Sequence, residues 1–147
     1  DVQGQEMTAA DLWQLFEREF QLGEQPLLHY QLSEQGPGRA RLSAQVRLHG
    51  DRVDLEGQGS GPVDAFVAAL SQACGETVQV LDYHEHSIGG GAQARAAAYF
   101  ELQIASCRVF GVGVDADIVA ASLKAPVCGV QRAGVTRHLS AALVASE

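Results

Sequence analysis

The chain has 147 residues, 10 basic and 18 acidic, for a formal charge of −8. Binding to a nucleic-acid backbone needs cations that displace counterions, and this chain carries a single lysine, Lys124. The same balance disfavours an anionic membrane surface. With 46% hydrophobic and 19% charged residues the chain is not globally disordered. It is long enough to bury a core without a metal or a disulfide framework.

No apolar run approaches the ~20 residues of a bilayer-spanning helix. The stretch Asp1 to Thr8 is polar and acidic, so no signal peptide is expected there. Cys74, Cys107 and Cys128 are an odd number with no CxxC spacing. That pattern fits reduced thiols and a cytoplasmic setting. A chain that starts at Asp1 reads as a piece of something larger.

Residues 1–8 are read as a linker. Thr8-Ala9-Ala10-Asp11 is a weak capping box, and Leu12, Leu15, Phe16 and Phe20 follow at helical spacing. This predicts a short helix over residues 9–21, with Trp13 off its apolar stripe. After Gly23 the period becomes two. Residues 28–32 alternate, Gly36-Pro37-Gly38 is a turn, and residues 39–49 alternate cleanly. Ala40, Leu42, Ala44, Val46 and Leu48 share one face, and Arg39, Arg41, Ser43, Gln45 and Arg47 the other. Gly50-Asp51 turns into a third strand over residues 52–58. A helix follows, with Pro62 in its first turn and Gly75 ending it.

The second half repeats this plan. Strands are predicted at 78–86, 92–105 and 107–114, and a helix from Asp115 to about Val130, with Pro126 expected to kink it or end it early. Gly57-x-Gly59 overlays Gly111-x-Gly113 at an offset of 54 residues. The fold class is therefore α+β, with two pseudo-symmetric βββα units at about 27–75 and 77–132 inside a domain of residues 9–132. Neither unit can bury its sheet alone, so the two should pack together. Residues 133–147 are read as a tail, either helical or a remnant foreign to the domain.

Gly57-Gln58-Gly59-Ser60-Gly61 lacks the Gly-Lys-Ser/Thr of a phosphate-binding loop and follows an antiparallel meander, which argues against a dinucleotide site. Glycines at a helix N-terminus still leave N–H groups open to a carboxylate, or serve only as a sharp turn. Asp82, His84 and His86 share a strand face, with Tyr83 and Glu85 on the other. Two histidines and an aspartate could ligate a metal, but no further ligand is evident, and a polar strand face is the simpler account. No nucleophile-elbow or zinc-protease motif is present, so no catalytic residue is assigned. Ala94, Ala96 and Ala98 leave space on a sheet face for a close helix or a small apolar ligand.

Taken together, residues 57–65 (GQGSGPVDA), 81–86 (LDYHEH), Ala94 to Tyr99, and Gly111-Val112-Gly113-Val114 through Ala125 resemble the C-terminal regulatory domain of 2-isopropylmalate synthases. The resemblance runs from about residue 9 to Arg132. Ser60 and Gln131 stand where asparagine would be expected. Citramalate synthases carry a similar domain. The resemblance implies two packed βββα units, a homodimer, and leucine bound near the dimer interface as feedback inhibitor. It implies a parent enzyme that joins acetyl-CoA to 3-methyl-2-oxobutanoate in a separate, metal-dependent catalytic domain of the same chain. This fragment would hold no metal, cofactor or catalytic residue of its own.

By the same resemblance, Gly59, Ser60 and Gly61 would hold the polar end of leucine. Val63, Val80, Tyr83, Ala94, Ala96 and Ile118 would surround its side chain, with Ser87 beside them. Asp64 would meet the ammonium or act as a first-turn acid. An isoleucine-sensing domain and a dimerisation module with a decayed site are the alternatives.

Overall fold

A computed structural model describes residues 26–48 and 50–134, together with Gln14. Strands β1 (Leu27–Gly36), β2 (Arg39–Leu48) and β3 (Asp51–Gly59) lead into α1 (Pro62–Cys74). Strands β4 (Val78–Ile88), β5 (Arg95–Ile104) and β6 (Cys107–Asp115) lead into α2 (Ile118–Ala133). Each trio is an antiparallel meander, ordered β1-β2-β3 in the first sheet and β4-β5-β6 in the second. The duplicated βββα plan is thus present. The helix expected over residues 9–21 and the tail beyond Gly134 lie outside the described residues, except that Gln14 is helical.

The alternation in β2 is obeyed in full, with Ala40, Leu42, Ala44, Val46 and Leu48 all buried. Two elements differ from the sequence reading. β5 begins at Arg95 because Gly91–Gln93 closes a 3₁₀ turn first. Helix α2 begins at Ile118 rather than Asp115 and runs through Pro126 to Ala133 without ending there. A helix-interior proline costs about 3 kcal/mol in isolation. Here the neighbouring residues Ala125 and Val127 are fully buried, so packing fixes the chain on both sides of the missing hydrogen bond.

Each helix covers its own sheet, α1 over β3 and β2, and α2 over β6 and β5. The helices touch each other, and each reaches the first strand of the other unit, α1 to β4 and α2 to β1. One core results, joining Leu42, Val46, Phe66 and Leu70 of the first unit to Phe100, Leu102, Leu123 and Val127 of the second. Burying a side chain such as Phe66 contributes on the order of 2–3 kcal/mol. Among the described residues, no helix is long and apolar enough to cross a membrane.

The glycine pairs set how closely each helix lies on its sheet. A Cβ on Gly59 would sit 2.6 Å from the Ala65 nitrogen, and one on Gly113 2.6 Å from the Lys124 Cβ. Cβ atoms on Gly57 and Gly111 would strike the carbonyls of Ala65 and Ala125. These contacts refine the repeat: Gly57 and Gly111 differ by 54 residues, but Ala65 and Ala125 above them differ by 60. The difference places an extra turn at the start of α2, which has 16 residues against 13 in α1.

Gly111→Ala should therefore lower stability by about 3 kcal/mol in chemical denaturation, because the obstruction is backbone and cannot swing aside. Gly61→Ala is the control: nothing lies within 4 Å of its would-be Cβ. Its effect should stay below about 1 kcal/mol.

Candidate functional site

The candidate residues fall into two groups. The first is the corner between β3 and α1. Gly59 ends β3 under the helix, and Gly61 caps α1 in an extended conformation with no side-chain cap hydrogen bond. Pro62 brings no N–H, so the first turn has one backbone donor fewer. The Ser60 hydroxyl donates to the Asp64 carboxylate across that turn. Asp64 lies in the first turn of α1 with Ser60 as a local partner, and it remains exposed. Val63 turns inward and packs against the common core.

The second group lies on the inner face of the second sheet, at its β4 edge. A bulge between Val80 and Asp82 shifts the register, after which Tyr83, Glu85 and Ser87 pair with Phe100, Ala98 and Ala96. Tyr83 stacks on Phe100, centroids 4.8 Å apart, yet stays 46% exposed. Ala96 also pairs with Asp115, at the level where α2 begins. Ile118, the first residue of α2, is 41% exposed. Ala94 is exposed, directly after the 3₁₀ turn. Val80 is half-buried and, with Val63 and Ala96, packs on the shared core that connects the two groups. Leu32 and Leu81 add exposed apolar surface on the first strands of the two sheets. Exposed apolar side chains on edge strands are a frequent mark of an interaction face.

Two interactions at this face escape sequence reasoning. Ser122, buried one turn after Ile118, donates to the Glu85 carboxylate at 2.9 Å. Strand alternation places Glu85 beside Tyr83 and Ser87 but says nothing of its helix partner. The other is Tyr30 on β1, whose hydroxyl donates to the Asp117 carboxylate at 2.6 Å. Asp117 also caps α2 by accepting from the Val119 N–H, and its own N–H donates to Asp115. Lys124 completes the network, donating to Asp115 at 2.9 Å and to the Val114 carbonyl at 3.1 Å.

Burial, the hydrogen bond to Asp117 and the negative charges of Asp117 and Asp115 push the Tyr30 hydroxyl up to about 12. Burial alone would raise Asp115. The Asp117 N–H, Lys124 and Arg95 outweigh it and hold this carboxyl below its ordinary value.

On the outer face of the second sheet, His84 lies 3.1 Å from Asp82, and both His84 and His86 stack on Tyr99. Among the described residues, no group of three or more histidine, cysteine, aspartate or glutamate side chains is placed to hold a metal ion. A polar depression of about 620 Å³ beside β3 and α1, lined by Arg41, Glu56, Gly57, Gln58, Ala68 and Gln72, contains none of the candidate residues.

These features define a duplicated α+β domain with exposed apolar residues on its edge strands and a helix corner without a side-chain cap. The chain belongs to the family of LeuA allosteric (dimerisation) domains, which matches residues 6–133. It is 45% identical over 139 residues to the 2-isopropylmalate synthase of Parafrankia sp. (strain EAN1pec), covering 90% of this chain and 24% of that protein. The 2-isopropylmalate synthase of Cupriavidus taiwanensis is 41% identical over 144 residues, covering 96% of this chain and 24% of that protein. That of Mycobacterium leprae is 36% identical over 135 residues, covering 89% and 22%. The chain thus spans about a quarter of the length of these curated relatives.

Tyr30→Phe should cost about 1–2 kcal/mol, since it leaves Asp117 without its cross-unit donor. The fold favours the neutral phenol, so this contribution is complete below the ordinary tyrosine value of 10.0 and is lost as pH rises towards about 12. Denaturation series across that window should show a steeper loss for the native chain than for the phenylalanine variant.

Proposed function

We propose that this chain is the leucine-sensing regulatory domain of a 2-isopropylmalate synthase and assembles as a homodimer. The family match across residues 6–133, together with relatives named as 2-isopropylmalate synthases, carries this reading. The parent enzyme condenses acetyl-CoA with 3-methyl-2-oxobutanoate in a cytoplasmic, metal-dependent catalytic domain elsewhere in the longer chain. The regulatory domain itself performs no chemistry.

The site chemistry suits leucine. The α1 corner at Gly59, Ser60 and Gly61 offers N–H donors and a positive helix end to the carboxylate. Asp64 meets the ammonium. Val63, Val80, Tyr83, Ala94, Ala96 and Ile118 surround the isobutyl group, with Ser87 beside it. Dimerisation covers the exposed Leu32, Leu81, Tyr83 and Ile118 and brings the two groups together across the interface. Leucine then favours one dimer arrangement over that of the active enzyme, and a coupling of about 1–3 kcal/mol gives useful feedback inhibition.

A second reading is a dimerisation module whose ligand site has decayed. The Ser60–Asp64 hydrogen bond favours it, because it engages both polar side chains of the corner with each other. Calorimetric titration of the dimer with leucine, isoleucine and valine separates the two. Saturable binding led by leucine is expected. Binding led by isoleucine would make this an isoleucine sensor, and a dimer that binds none would leave the assembly module. Ala96→Leu should fill the side-chain pocket and weaken leucine binding by about tenfold or more while the dimer persists by light scattering.

A further inference from the structure

The face of the second sheet that lies under α2 is built of successive rows of paired residues. Ser87, Ala96 and Asp115 form one row, Glu85, Ala98 and Gly113 the next, and Tyr83, Phe100 and Gly111 the one after. Their chain neighbours Ala97, Val112 and Val114 point to the opposite side, where they are buried in a separate cluster with Cys128. Helix α2 runs antiparallel to β6, since Gly113 lies under Ala121 and Gly111 under Ala125. Ile118 therefore sits toward the row of Ser87 and Ala96. Glu85 stands in the middle of this wall, with Ser87, Ala96 and Ile118 on one side and Tyr83 on the other.

Ser122 fixes that carboxylate. Among the described residues it is the one buried polar side chain, 3% exposed. A buried hydroxyl costs free energy unless it is paired, and this one is spent on Glu85 at 2.9 Å. The bond occupies Oε2 and leaves Oε1 as an acceptor. Glu85 is otherwise exposed, and among the described residues no basic side chain forms an ion pair with it. The other acid of the wall, Asp115, is already held by Lys124. A carboxylate oriented by a buried donor, without a counter-cation and set between an aromatic ring and small apolar side chains, suits a small cation with an apolar body.

We propose that Glu85, oriented by Ser122, makes this site select an α-ammonium, so that an amino acid is bound in preference to the 2-oxo acid with the same side chain. The inference rests on the effector reading above. Leucine and 4-methyl-2-oxopentanoate offer the Gly59–Gly61 corner the same carboxylate and the apolar wall the same isobutyl group. Only the ammonium separates them. The oxo acid turns a carbonyl oxygen towards Glu85, acceptor against acceptor, and leaves that carboxylate unpaired, which is the stronger basis for rejection. An ammonium has more than one N–H donor, so Glu85 adds an acceptor to Asp64 rather than replacing it. Ser122 is a positioning residue, touching Glu85 and not the ligand.

Calorimetric titration of the dimer with both ligands tests this, a weak oxo acid being read by competition against leucine. If isoleucine leads the titration, the pair becomes isoleucine and 3-methyl-2-oxopentanoate. The native chain should prefer the amino acid by about tenfold to a hundredfold, the range of a charge-assisted hydrogen bond. Glu85→Gln should weaken the amino acid by about tenfold or more and leave the oxo acid unchanged, so that the preference collapses. Ser122→Ala should shift the ratio in the same direction by about threefold, whereas a purely structural role would weaken both ligands alike. Glu56→Gln, at an exposed acid paired with Arg41 on the first sheet, should alter neither affinity. A native dimer that binds neither ligand would refute the effector reading itself. A native preference that survives intact in Glu85→Gln would refute only the role of Glu85. Equal native affinity for the two ligands, equal weakening of both in Glu85→Gln, or loss of the dimer in that variant would overturn the assignment as well.

Discussion

The close approach of helix backbone to strand backbone at the two glycine pairs governs the rest of the molecule. Where Gly57, Gly59, Gly111 and Gly113 meet their helices, no side chain fits between the layers. The helix must then present small residues there, which is why Ala65 and Ala69, and Ala121, Ala125 and Gly129, occupy those turns. The larger residues Phe66, Leu70, Leu123 and Val127 serve the shared core. A single unit would leave that second stripe in water, so each unit needs the other.

The duplication is not symmetric where it matters chemically. The extra turn of α2 carries Ile118 and brings Asp117 to Tyr30, locking the start of that helix to the opposite sheet. The start of α1 has no side-chain cap, and its polar residues Ser60 and Asp64 satisfy each other. Two corners descended from one plan thus differ: one is a sealed strut between units, the other an open helix end. An internal repeat read from glycine spacing alone hides this, because the offset changes from 54 to 60 between strand and helix.

Legibility followed the solvent. The β2 strand is readable because one face is fully buried and the other polar, so its alternation is strict. The edge strand β4 is exposed along most of its length, and its Asp82-Tyr83-His84-Glu85-His86 run gives no sign of which face is inward. Pro62 marked the start of α1, since its backbone requirement is local, whereas the glycines before α2 did not reveal its start at Ile118. Pro126 does not end α2, because a local penalty says nothing of packing on either side. Tyr30 and Asp117 lie 87 residues apart, and no local pattern could pair them. The outer cluster of Ala97, Val112 and Val114 was equally hidden, since alternate burial on both faces of β6 reads as one continuous apolar run.

Lys124, the one lysine of the sequence, is spent inside the fold. Its side chain is 13% exposed and holds both Asp115 and the edge carbonyl of Val114. Amine chemistry directed at this ε-ammonium therefore meets a folded domain as a nearly blank surface. A protease that cuts only after lysine finds one site, sealed within α2 until that helix lets go. Cleavage at that bond is a clock for the opening of the second unit, written into the composition by the scarcity of a single residue type.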